Sequence, residues 1–214
     1  MQIPGLRRAV TVLAMTLLPV YAYAAPILPA SYDMLNGNTG SFQYWDQTYS
    51  GAGCVTCDNS PLSGGLGDLT DGIVAPDNWF VVEAPAGNGP YVGWTLDPLI
   101  TFHFAAGTTI NGLTVYLDDS NGAGGVSAPS GIRINGQLFN IAEPAGSAPF
   151  AFTVNGLNVV GDLQLELLRK NQWVFASEVQ FDGGRNGAAV PEPASLMLLG
   201  LGIAGLAVRR WRQS

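Results

Sequence analysis

Ile100, Phe102 and Phe104 alternate with Thr101 and His103, and Leu163, Leu165 and Leu167 alternate with Gln164 and Glu166. A period of two marks a strand with one face in a core and the other in water. Comparable short runs occupy residues 79–83, 91–94, 99–104, 110–117, 131–139, 150–154, 163–169 and 173–181, each bounded by Gly, Pro, Asn or Asp. Between the two ends of the chain, no run of ten or more residues carries a helical period. The pattern predicts an all-β body of about eight strands in two packed sheets, a jelly-roll β-sandwich. There is no internal repeat.

The ends are patterned differently. Arg7 and Arg8 precede an apolar run at 9–20, and Ala22-Tyr23-Ala24 follows it. A basic start, a short apolar stretch and a small-residue site predict a secretory signal peptide over 1–24, cut by signal peptidase after Ala24. At the other end, residues 194–208 are uncharged and mostly apolar, and Arg209, Arg210 and Arg212 come directly after them, with Trp211 among them. As a helix this run is roughly 22 Å long, and extending it back to Ala188 gives about 31 Å, the thickness of a bilayer core. The arginines act as a membrane stop on the cytoplasmic side, so the tail reads as a single short transmembrane helix in the inner membrane. Within it, Gly200, Gly202 and Gly205 fit G-x-G-x-x-G. A dinucleotide loop needs a preceding strand and a βαβ frame. Inside an apolar run the glycines read instead as small residues that let another helix approach closely.

Val190-Pro191-Glu192-Pro193, the Gly-rich apolar stretch and the arginine cluster, in that order, resemble the PEP-CTERM protein-sorting signal of Gram-negative bacteria. The resemblance implies recognition by an exosortase, a membrane-embedded cysteine protease that cuts near Pro-Glu-Pro. The body would then be released or transferred to the cell surface or its exopolysaccharide. Pro191, Glu192 and Pro193 are the recognition residues on this reading. The expected organisation is a signal peptide at 1–24, an N-terminal extension of the body at 25–58, a β-sandwich at 59–182, a linker at 183–189 and the sorting signal at 190–212.

A second resemblance attaches to the body. LTDG at 69–72 followed by Trp79, SAPSGIRI at 127–134 and WVFASEVQF at 173–181 are similar to stretches of the galactose-binding-like, discoidin-type jelly roll. That superfamily often ties an early Asp-Gly loop to a glutamate of the last strand through a structural calcium. The resemblance thereby implies Ca²⁺ at Asp71 and Glu178. Calcium takes six to eight oxygen ligands, so carboxylates and backbone carbonyls suit it. DDSNG at 118–122 also invites a calcium reading, but Leu117 falls at the first ligand position of an EF-hand, and a solvated hairpin loop is the expectation there.

Charge narrows the function. Between residues 25 and 190 only Arg133, Arg169, Lys170 and Arg185 face every acidic residue of the chain except Glu192. So acidic a body repels phosphate backbones, which excludes nucleic acid as a partner. The single histidine, His103, sits mid-strand opposite Phe102 and Phe104, and the chain has no G-x-S-x-G elbow for a triad. One histidine and two cysteines make no zinc cluster. Paired acids for glycoside hydrolysis carry no recognisable motif, so the expectation is a protein that is not an enzyme, with a hydrolase the least favoured alternative.

Cys54 and Cys57 form C-V-T-C in a Gly-rich loop. In an exported chain an oxidised local bridge is expected rather than a redox motif. The aromatic residues supply candidate sugar contacts, and Tyr44 and Trp45, lying before the alternating strands, are the ones placed near a loop. The sequence points to an exported, non-enzymatic protein of the cell surface or extracellular matrix, associated with exopolysaccharide or biofilm and binding carbohydrate. The alternative is a structural or adhesion module without a small ligand.

Overall fold

The computed structural model describes residues 27–185. The expected signal peptide, the sorting residues Pro191, Glu192 and Pro193, the apolar tail and its arginines lie outside them. Among the described residues no helix is long and apolar enough to cross a membrane.

The described chain forms ten strands: β1 (Ser31–Leu35), β2 (Pro61–Gly65), β3 (Val92–Trp94), β4 (Leu99–His103), β5 (Thr108–Leu117), β6 (Gly131–Ile134), β7 (Gln137–Asn140), β8 (Phe150–Val160), β9 (Leu163–Leu168) and β10 (Val174–Arg185). They make two sheets, one ordered β2-β1-β4-β9-β6-β7 and the other β3-β10-β5-β8. Every pairing is antiparallel. The two sheets bury one shared apolar core, so the body is an all-β sandwich. Ile100, Phe102, Leu163, Leu165 and Leu167 come to it from the larger sheet, and Leu113, Val115, Val179 and Phe181 from the smaller. Phe102 and Phe181 meet edge to face across the interface, their centroids 4.8 Å apart, a favoured geometry for aromatic pairs.

The alternating strands are where the pattern placed them. Two runs resolve differently, and β1 forms where no run was expected. Residues 79–83 are not a strand; Trp79–Val82 is a short helix, α1. Trp79 and Glu83 are buried while Phe80 and Val81 are exposed, and burial of positions four apart is a helical spacing. Residues 131–139 are two strands. Asn135 and Gly136 turn the chain between β6 and β7 with φ of 47° and 83°, the left-handed pair that a tight hairpin demands and that Asn-Gly supplies. The segment expected as an N-terminal extension contributes β1, which lies between β2 and β4 with Tyr32 fully buried. Residues 31–35 are thus a strand of the sandwich.

β10 is buried on both faces along its first half. Val174 and Ala176 face the inter-sheet core, whereas Phe175 belongs to a second cluster with Tyr44, Trp79, Tyr91, Val126 and Trp173. These residues come largely from loops that fold over the outer face of the smaller sheet. Gly93 stands opposite Phe175 across β3 and β10. A Cβ at Gly93 would lie 1.6 Å from the Phe175 ring, so glycine there is what lets the ring lie flat over β3.

Candidate functional site

A bulge in β10 falls between Ala176 and Glu178, where the register against β5 shifts. A bulge re-aims side chains, and here both Ser177 and Glu178 are buried and reach the 71–75 loop. Glu178 Oε2 accepts the Gly72 amide at 3.2 Å, and Ser177 Oγ accepts the Ala75 amide at 3.2 Å. Asp71 caps its own turn, with Oδ1 accepting the Ile73 amide at 2.8 Å. Burial pushes the Glu178 carboxyl up to about 7, and the nearby Asp71 charge adds to the rise. Asp71 is itself raised, by burial. The structure therefore brings together the two residues implied as calcium ligands.

The donor set fits a hard cation in kind, being carboxylate oxygen with a like charge beside it. It supplies only two side-chain ligands, because among the described residues no group of three or more His, Cys, Asp or Glu side chains is placed to hold a metal ion. Backbone carbonyls would have to make up the six to eight oxygens of a calcium shell.

Sequence reasoning missed the acids behind this loop. Asp46 is fully buried. Its Oδ1 accepts the Asp68 amide at 2.9 Å, and its Oδ2 accepts the Tyr32 hydroxyl. The Thr48 hydroxyl donates to Asp68 Oδ1. Gly67 makes room for this arrangement, since a Cβ there would lie 2.2 Å from Asp46 Oδ1. Burial and the charge of Asp68 push Asp46 up to about 7, and burial raises Asp68. Glu83, buried at the end of α1, is also pushed up to about 7 by burial, although the amides of Gly89 and Tyr91 bind its carboxylate at 2.9 and 3.0 Å. Nothing in the local pattern around Asp46 or Glu83 distinguishes them from surface acids.

The sugar-contact expectation needs correction at Tyr44. Its ring is 2 % exposed and packs edge-on against Trp79, Trp173 and Phe175, so it offers no face to a sugar. Gly40 leaves room for these rings, since a Cβ there would lie 2.9 Å from both Tyr44 and Trp173. Trp45 is half-buried, and its indole N–H donates to Asp58 Oδ1 at 2.7 Å. The neighbouring loop is closed by a disulfide between Cys54 and Cys57.

The DDSNG stretch is also corrected. Asp118, Asp119 and Ser120 are buried rather than solvated. Asn78, just ahead of α1, donates to Asp118 Oδ1, the Asp119 carbonyl and Ser120 Oγ at 2.8, 3.2 and 3.1 Å. These bonds draw the loop down over the aromatic cluster.

His103 lies on the outer face of the larger sheet. Its Nε2 is 3.1 Å from Asp33 and its Nδ1 3.0 Å from Asp162. Both ring nitrogens are thus engaged by carboxylates, leaving neither to activate a nucleophile. The same face carries a shallow depression of about 230 Å³ lined by Leu99, Arg133, Gly136, Gln164 and Glu166. Arg133 Nη1 donates to Glu166 Oε2 across it at 2.6 Å.

Beyond the sandwich, residues 189–213 match the PEP-CTERM protein-sorting motif. The chain carries a PEP-CTERM sorting signal. The motif implies an exported protein that an exosortase targets by way of a membrane-anchored precursor. No curated protein matches the chain. The match covers the tail alone and leaves the activity of the sandwich to be argued from its own residues.

Proposed function

We propose that this chain is an exosortase-processed protein of the cell surface or extracellular matrix whose sandwich acts by contact rather than by catalysis. The PEP-CTERM motif at 189–213 carries the reading. Signal peptidase removes 1–24, the apolar helix at 194–208 holds the precursor in the inner membrane with the body in the periplasm, and cleavage near Pro191-Glu192-Pro193 frees the body. The sandwich serves as a galactose-binding-like jelly roll associated with exopolysaccharide, and a calcium at Asp71 and Glu178 fastens its early loop to β10.

The test of the sorting step is the full chain expressed in a host with an active exosortase and in the same host with the exosortase cysteine replaced. The expected result is a smaller product outside the inner membrane in the first and a larger membrane-bound precursor in the second. Equal mass and location in both would refute it. Carbohydrate contact is tested by binding of the processed protein to the host's own exopolysaccharide. The burial of Tyr44 favours the second reading, an adhesion or structural module without a small ligand, and absence of polysaccharide binding would select it.

A further inference from the structure

Residues 118–128 join β5 to β6 and bury two adjacent carboxylates. Asp118 is fully satisfied. Its Oδ1 accepts from Asn78 Nδ2 at 2.8 Å and from the Ser120 hydroxyl at 2.7 Å, and its Oδ2 accepts the Trp79 amide at 2.6 Å. Asp119 is not. Its Oδ1 accepts the amides of Asn121 and Ala128 at 3.0 and 3.2 Å, but its Oδ2 is buried without any partner. The residue is 0 % exposed.

A bare, buried carboxylate oxygen is costly, because water has been removed and nothing replaces it. No basic residue offsets it: the ion pairs among the described residues involve neither Asp118 nor Asp119. A trapped water could donate one hydrogen bond to Oδ2, but it would leave two neighbouring buried carboxylates without countercharge. A cation supplies both a partner for Oδ2, by coordination, and the countercharge. The ligand chemistry restricts which cation. Imidazole and thiolate are absent from this loop, since the one histidine lies on β4 between Asp33 and Asp162 and both cysteines are in the disulfide. Only oxygen donors remain, which selects a hard ion over zinc or copper.

We propose that Asp119 Oδ2 ligates a hard divalent cation of the calcium class within the 118–128 loop, backbone carbonyls making up the rest of its oxygen shell, because among the described residues no group of three or more His, Cys, Asp or Glu side chains is placed to hold a metal ion. This site is separate from the Asp71–Glu178 pair and does not depend on it. The cation neutralises the buried acids and fixes the loop that covers the aromatic cluster.

The site can be read by terbium, which replaces calcium in oxygen sites and emits when a nearby indole is excited. Trp79 supplies the antenna: its ring lies against this loop, where a Cβ on Gly124 would be 2.4 Å from it. The full chain in detergent, stripped with chelator, is titrated with Tb³⁺ under tryptophan excitation and then back-titrated with Ca²⁺. The expected result is sensitised emission that Ca²⁺ displaces. Glu178→Gln keeps that emission, and adding Asp119→Asn to Glu178→Gln abolishes it; Asp119→Asn alone lowers it. In chelator, Asp119→Asn melts no lower than the parent, since the unpaired charge has gone.

Emission from Asp119→Asn equal to the parent's, or no emission from the parent, would overturn the proposal and assign the bare oxygen to a water. Should Asp119→Asn fail to fold, Glu178→Gln decides. A rise in its melting temperature with Ca²⁺, as bound ligand stabilises the folded state, supports the second site, and no rise removes it. Loss of the calcium response in Glu178→Gln with retention in Asp119→Asn would instead place calcium at the Asp71–Glu178 pair alone.

Discussion

The inter-sheet core and the aromatic cluster around Phe175 share a strand and differ in what holds them. Successive residues of β10 point to one and then the other: Val174 and Ala176 inward, Phe175 outward. The inward side is aliphatic for the most part, built from strands that alternate, and is held chiefly by burial, with the Tyr32 hydroxyl bonding from it to the buried Asp46. The outward side is aromatic and is roofed by loops whose own backbone must be satisfied. Buried carboxylates meet that need. Asp118 receives the Trp79 amide, and Glu83 receives those of Gly89 and Tyr91. The inward side is therefore chiefly a packing problem that meets a titratable group only at its edge, through Tyr32 and Asp46, whereas on the outward side packing is tied to titratable groups where the loops cover the rings.

The comparison can be broken most forcefully on the inward side. Phe102 is fully buried against Tyr32 and Phe181. Phe102→Ala should cost about 3–5 kcal/mol, the range for emptying a large aromatic site in a core, measured by urea unfolding, and the cost should be the same at mildly acid and mildly alkaline pH. On the outward side the equivalent probe fills space instead of emptying it. Gly93→Ala places a methyl where the Phe175 ring lies. It should cost about 1–3 kcal/mol or more by overpacking, with near-ultraviolet circular dichroism showing loss of the aromatic signal before the sheet signal. Retention of the aromatic signal would mean that Phe175 can move aside without disturbing Trp79 and Trp173.

The same contrast explains what the sequence made legible. Strands with one face in water, such as β4 and β9, announce themselves by alternation and were readable from Ile100, Phe102, Leu163 and Leu165 alone. β1 was not, because SYDML alternates over only five residues and its polar Asp33 and Ser31 are half-buried. α1 was misread for the opposite reason. WFVV is four apolar residues with no polar face, and α1 is set by what surrounds it, Asp118 holding its first amide. That β10 approaches the Asp-Gly loop, Glu178 taking the Gly72 amide, was implied by the resemblance and not by any local pattern. Asp46, Glu83 and Asp119 were not, since burial of an acid depends on which loops converge above it, and that information is not local. Tyr44 failed as a sugar contact on the same ground: position before the strands says nothing about which way a loop turns its ring.

Proton linkage sharpens the comparison further. Asp46, Glu83 and Glu178 are each pushed up to about 7, chiefly by burial. In the unfolded chain such groups titrate near about 4. Between those values the folded state binds more protons than the unfolded one, so stability falls as pH rises through the window, and the contribution is fully present below it. His103 has the same sign. Burial pulls it down, but Asp162 and Asp33 outweigh that and raise it, so its contribution is also lost as pH rises through the raised value. The full chain should melt higher at about pH 5 than at about pH 8. Tyr32→Phe tests the assignment to Asp46. The hydroxyl donates to Asp46 Oδ2 and favours the ionised form. Its removal should cost about 1–3 kcal/mol at alkaline pH, as for a buried acceptor left unpaired, and less at acid pH, where Asp46 carries its proton. An equal cost at both would place the effect on the packing of the Tyr32 ring.

The smallest expected effect lies in the loop that carries the disulfide. Joining Cys54 to Cys57 closes a loop of only four residues, worth about 2 kcal/mol at most in the chain-entropy account. Other bonds hold the same loop: Cys54 N donates to Ser60 Oγ at 3.1 Å, and Asn36 Nδ2 donates to the Cys54 carbonyl at 3.1 Å. Asn36 also receives the Asp46 amide on its Oδ1 at 2.8 Å, so loosening the loop is felt first at the buried acid and not in the inter-sheet core. Cys54→Ser with Cys57→Ser should lower stability by less than about 2 kcal/mol. Hydrogen exchange should quicken at the Gly37 and Asp46 amides, both held by Asn36 Oδ1, while the amides of β5 and β10 stay protected. Faster exchange in β5 and β10 to the same degree would show that the loop and the core open as one unit, and the distinction between a side held by packing and a side held by polar contacts would not extend to this corner of the fold.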